Sequence, residues 1–108
     1  MKPWDIWTWK FPDADSHPAI ILGTEERVRL KHRVSVLLCS SQRATRTPEL
    51  HEVLLDEADG LDWPTLCKCD LIYAAHKNDL KGRRGTVSSE RRRAIAERII
   101  RGLGLAGL

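Results

Sequence analysis

The residues able to do chemistry fall into three groups. Lys68 and Asp70, separated by Cys69, would project from one face of a strand, because alternate side chains share a face. An ammonium beside a carboxylate suits proton transfer on a phosphate, and it equally suits a surface ion pair. His17, just before Pro18, carries an imidazole that can take or give a proton near neutrality. A strand-edge position with no role in catalysis would account for it as well. The third group is Cys39, Cys67 and Cys69, an odd number of thiols that makes no disulfide framework. With no second close-spaced ligand pair, buried free thiols are expected here rather than a structural metal, and no cofactor is implied.

Binding residues are sought where the chain is polar and looped. Arg43 and Arg46 follow Ser40, Ser41 and Gln42 in a stretch that runs to Pro48, and either guanidinium could hold a phosphate. Trp63, beside Pro64 in a turn, is the best placed of four tryptophans to stack on an unpaired base, a contact of roughly 1–3 kcal/mol where it occurs. Trp7 and Trp9 share a strand face and read as core. Charge is uneven: residues 76–101 hold nine Lys or Arg against three Asp or Glu, while residues 1–75 hold nine against twelve. A basic half suits a polyanion or an acidic peptide, and a solvated helix face accounts for much of the same charge.

These groups need a frame. At 108 residues, 42% hydrophobic and 31% charged, the chain reads as one globular domain, 1–108, with a modest core. No apolar run approaches the ~18 residues of a membrane span, and Met1 to Asp5 does not resemble a secretory leader, so a cytoplasmic protein off the membrane is expected. Strand signals dominate three quarters of the chain: 5–11, 19–22, 28–30, 34–39, 51–55, 65–68 and 71–75. A short helical turn is expected at Asn78–Leu80. The helix comes last, capped by Ser88 or Ser89, with Ile95, Ala96, Ile99, Ile100 and Leu103 on one stripe and Gly102 and Gly104 at its end. Short strands followed by a docking helix predict an α+β fold, a small, partly closed antiparallel β-barrel with a C-terminal helix.

Read in order, several segments resemble the MazF/PemK toxin family of type II toxin–antitoxin systems. They are Asp5-Ile6-Trp7, His17-Pro18-Ala19-Ile20-Ile21-Leu22, Cys39-Ser40-Ser41-Gln42, Cys69-Asp70, Gly85-Thr86-Val87-Ser88-Ser89-Glu90 and Leu103-Gly104-Leu105. No fragment is specific alone; their order and separations carry the resemblance. It implies an SH3-like barrel and a metal-independent endoribonuclease, an mRNA interferase cutting single-stranded RNA by attack of the ribose 2′-hydroxyl. It implies Asp70 as general base and Ser40 or Ser41 as donors to a phosphate oxygen. His17 would then serve as acid or base, and Lys68 would bind phosphate or donate a proton, with Ser40, Ser41, Gln42, Arg43, Arg46 and Trp63 contacting RNA. The implied partners are a second copy of the chain, a short acidic antitoxin that is partly disordered, and operator DNA reached as a toxin–antitoxin complex.

The chain departs from the family pattern at telling places. His17 stands where the family has arginine, Lys68 replaces another arginine and Leu71 replaces glutamine. An alternative expectation follows: a catalytically degenerate member that works as a binding module for an antitoxin or for nucleic acid, DNA or RNA.

Overall fold

The computed structural model describes residues 1–40 and 46–108. Six strands, β1 (Asp5–Lys10), β2 (Ser16–Leu22), β3 (Arg33–Ser40), β4 (Glu52–Leu55), β5 (Thr65–His76) and β6 (Lys81–Thr86), form one antiparallel sheet in the order β4-β5-β3-β2-β1-β6. The sheet curls into a half-barrel, and the C-terminal helix α2 (Ser89–Gly102) packs across β4 and β5. This is the small antiparallel barrel with a final helix that the strand pattern predicts.

Both sheet faces are dry at the centre, which explains why β2 and β3 are almost continuously apolar. On one face Ile6, Ile20, Leu37, Leu55, Cys67 and Cys69 meet Ile95 of α2. On the other, Ala19, Ile21, Val34 and Val36 pack with Trp9 and Phe11, joined by Val28 and Leu80. Cys39, Cys67 and Cys69 are free and buried in the first layer. Contact with Cys39 and Cys69, reinforced by burial, pushes the Cys67 thiol up, away from the thiolate that nucleophilic chemistry needs.

Two elements differ from the sequence reading. Residues 28–30 belong to a helix, α1 (Glu25–Leu30), and not to a strand. Thr24 Oγ1 accepts the Arg27 N–H at 3.1 Å, and Glu25 and Glu26 sit in the first turn, so capping outweighs a short alternation in which only Val28 is buried. Segments 65–68 and 71–75 are likewise one long strand, β5, carrying a bulge. Leu37 pairs with Ile72 but Cys39 with Cys67, so two steps along β3 face five along β5. An odd excess reverses the alternation: Cys67 and Cys69 join the layer beneath α2, whereas Tyr73 and Ala75 join the opposite one.

The turn before β5 anchors α2. Ser88 occupies the N-cap but its hydroxyl makes no capping bond. Buried Asp59 substitutes, accepting the Ser88 N–H at 2.9 Å, and Arg91 bridges Asp56 and Asp59. Gly85 packs so tightly on the Asp59 carbonyl and Gly60 that a Cβ has no room, which gives the motif glycine a physical reason. A short 3-10 turn spans Lys77–Asp79, one residue ahead of the turn expected at 78–80.

Candidate active site

Glu52 organises the charged rim of the sheet. It opens β4 directly opposite Lys68, and its side chain is wholly buried. A carboxylate in that position needs partners, and it has four bonds. Arg46 donates from Nη1 and Nη2, both at 2.7 Å, Lys68 Nζ donates at 3.1 Å, and the Glu49 N–H donates at 3.0 Å. The Arg46 grip comes first among the causes that hold the Glu52 carboxyl far below the usual carboxylate range, against the upward push of burial. The Arg46 guanidinium is raised by the same bond.

His51 and Asp70 complete the rim. His51 Nε2 lies 3.6 Å from Glu49 Oε2 and 4.0 Å from Asp70 Oδ1, with a third of the His51 side chain exposed. The His51 carbonyl accepts the Cys69 N–H at 2.8 Å, which fixes the backbone of one partner against the other. Asp70 lies at the bulge, beneath the end of α2, where a Cβ at Gly102 would come within 3.4 Å of Asp70 Cβ. Beside it opens a cleft of about 210 Å³ lined by Leu50, His51, Arg98, Arg101 and Gly102.

Lys68 and Asp70 therefore do not form the side-by-side couple that plain alternation suggests. Lys68 pairs with Glu52, Asp70 faces His51, and the bulge between them turns the two side chains to different partners. The link between them runs through donor atoms of Glu49, His51 and Glu52, which lie within 4.8 Å of one another. These three could also hold a cation, but Arg46 and Lys68 already answer the Glu52 charge.

His17 occupies a different setting. It pairs with Trp9 across β1 and β2, is half-buried, and its ring lies 6.3 Å from that of Phe11. The sheet register nevertheless ties it to the rim. Ala19 faces Leu38, Ser40 faces Leu66 and Lys68 faces Glu52, so alternation puts His17, Ser40 and Lys68 on a common face. His17 is level with Ser40 and Leu66, two strand spacings or about 10 Å from Leu66, and Lys68 lies two residues further along β5.

Ser40 is buried at the end of β3. Ser41, Gln42 and Arg43 lie outside the described residues. Arg46 turns inward to Glu52 instead of standing ready for a phosphate, although nearly half its side chain is exposed. Trp63 is half-buried, and its carbonyl accepts the Thr65 hydroxyl at 3.1 Å. Sequence reasoning missed Glu52, His51 and Glu49. A charged pair immediately before the apolar run 53–55 was the available signal, but its partners lie on other segments.

The family profile of the PemK-like, MazF-like toxins of type II toxin–antitoxin systems matches residues 2–103. The chain belongs to this family. Among solved structures, the Mycobacterium tuberculosis toxin MazF-mt6 superposes with a TM-score of 0.80 at 24% identity, covering 94% of this chain and 97% of that one. An endoribonuclease from a mycobacterial species, solved with its cognate antitoxin, gives 0.83 at 18% identity over 100% and 99% of the two chains. A Deinococcus radiodurans MazE–MazF complex gives 0.75 at 13% identity over 98% and 97%. No curated protein matches the sequence. At these identities the structural likeness concerns the fold, and the family is established by the profile.

Proposed function

We propose that this toxin-family member is a metal-independent endoribonuclease, an mRNA interferase that cuts single-stranded RNA and is neutralised by a short acidic antitoxin. Membership of the family supports the reading, and so does one observation: His17, Ser40 and Lys68 share a sheet face, while Asp70 lies at the bulge on the α2 side of the same strand as Lys68.

Cleavage of this kind needs a base for the 2′ proton, a cation for the charged phosphorane and an acid for the leaving 5′ oxygen. Asp70 is the carboxylate base, Lys68 the phosphate-binding cation, and His17 the acid or base across the face. Lys68 contributes a point charge without an arginine fork, and its ammonium is held by buried Glu52 at 3.1 Å. Ser40 donates to a phosphate oxygen, with Ser41, Gln42, Arg43 and Trp63 as further RNA contacts. The chain works as a single domain and as a homodimer in the cytoplasm, and it reaches operator DNA only with its antitoxin. Among the described residues no helix is long and apolar enough to cross a membrane.

Purified protein incubated with a long single-stranded RNA in EDTA should release discrete fragments. Asp70→Ala should abolish both this cleavage and the growth arrest caused by induced expression. RNA left intact at stoichiometric protein would refute the nuclease reading.

A second reading is favoured by the pairing of Arg46 and Lys68 with Glu52, which spends both cations on a buried carboxylate. The protein would then bind an antitoxin or nucleic acid without cutting. Cleavage that emerges only when arginine is restored at positions 17 and 68 would establish that reading.

A further inference from the structure

We propose that His51 is a catalytic residue of this site: its imidazole, in place of the Asp70 carboxylate itself, takes the 2′ proton from the RNA, Asp70 positions the ring, and Arg98 and Arg101 join Lys68 in receiving the phosphate. The inference rests on the endoribonuclease reading and deepens it. Sequence spacing points to Lys68 beside Asp70, whereas the side chain that faces Asp70 in the fold is His51, at 4.0 Å.

The surroundings of the ring suit proton transfer. Nε2 is turned to two carboxylates, Asp70 Oδ1 at 4.0 Å and Glu49 Oε2 at 3.6 Å. Among the described residues Nδ1 has no partner. An Nε2–H directed at carboxylates leaves the Nδ1 lone pair as the acceptor, and the ring orientation follows from its neighbours. A distance of 4.0 Å exceeds a hydrogen bond, and pairs of this kind tighten when a substrate or a proton arrives. The charged groups around the ring are Glu49 and Glu52, close to it along the chain, Asp70 from β5, and Arg98 and Arg101 along the cleft from α2, Arg101 being paired with Glu97 at 2.9 Å.

Access and charge point the same way. His51 lines the 210 Å³ cleft together with Arg98, Arg101, Leu50 and Gly102. Arg98 is held over that cleft by donating Nη1 to the Leu50 carbonyl at 3.0 Å, while its buried Nε has no acceptor among the described residues. Two guanidiniums beside an imidazole match a phosphodiester with an adjacent hydroxyl, and the Arg101 pair with Glu97 is exposed enough to open for it. His17, in contrast, has an aromatic ring and no carboxylate beside it among the described residues.

The step balances without another reactant. The 2′-O–H proton passes to Nδ1 as the O2′–P bond forms; the P–O5′ bond breaks, and the leaving oxygen takes a proton from water. The ring returns its proton to water, leaving a 2′,3′-cyclic phosphate and a 5′-hydroxyl.

The test uses the full chain and a long single-stranded RNA in EDTA, comparing wild type, His51→Ala and His51→Gln. The expected result is a loss in kcat of about 100-fold or more in both variants, with KM within a few-fold and melting temperatures near wild type. The pH dependence of kcat should change in both variants, and added imidazole should restore part of the His51→Ala activity. Cleavage by wild type and both variants at similar rates overturns this inference and leaves the nuclease reading standing. So does a loss of rate that preserves the wild-type pH profile and resists imidazole, which would mark a structural role. RNA untouched by wild type overturns the nuclease reading and this inference with it.

Discussion

Two regions of the same sheet solve the problem of burial by opposite means. At the β4–β5 rim, charge answers charge: Glu52 is closed off by Arg46 and Lys68, and Asp70 faces His51. At the β1–β2 corner, ring answers ring. Phe11 sits edge-on to Trp9 at 4.7 Å and to Tyr73 at 5.0 Å, with His17 against its side. The contacts between Phe11, Trp9 and Tyr73 are dispersion and edge-to-face and involve no ionised group. The rim depends on protonation state, and that is the property a site acting on phosphate requires.

Four measurements sharpen or break this contrast. Phe11→Ala should have the largest effect, roughly 3–5 kcal/mol of unfolding free energy read by denaturant titration, because the ring is fully buried among three others. Glu52→Gln keeps the shape but leaves two cations without their carboxylate. It should cost roughly 3 kcal/mol, the low end for breaking a buried pair, since Arg46 is half exposed. Equal losses at both positions with the same pH dependence would erase the distinction between the regions.

Next come Asp70→Asn and His17→Asn, compared in RNA cleavage. Each should lower kcat about 100-fold, close to 2.7 kcal/mol of barrier, if both regions supply a proton-handling group. Full activity in His17→Asn would reduce the aromatic corner to a wall. The smallest effect concerns acid. The carboxyls of Glu52, gripped by Arg46, and Asp56, gripped by Arg91, hold protons less tightly folded than unfolded. Their contribution is whole above the ordinary carboxylate range and drains away as the pH falls through it toward the folded value. Wild type should lose about 2 kcal/mol between roughly pH 4.5 and 2.5. Glu52→Gln should flatten that slope, and Phe11→Ala should leave it intact.

The frame was largely legible in the chain. A nearly unbroken apolar run marks β3, buried on both faces, and the 3.6 period of Ile95 and Ile99 marks α2, because burial imposes those patterns directly. The misread elements are those where a local bond or a distant partner overrides the pattern. Thr24 turns 28–30 into helix, and β3 draws two segments into the single strand β5, at the cost of a bulge. Of the candidate site, His17, Lys68 and Asp70 were nameable in advance, but their neighbours were not. Nothing along the chain pairs Lys68 with Glu52, sixteen residues away, or sets His51 beside Asp70.

Residue order alone carries the family, the strand-rich frame and the candidate positions His17, Lys68 and Asp70, since these depend on local periodicity and on motif order. The partner of each charge is settled by register and by the bulge, where an odd number of extra residues turns Lys68 to one carboxylate and Asp70 to one imidazole. Electrostatic pairing acts through space over about 4 Å, and only the folded sheet brings segments that are remote along the chain to that distance.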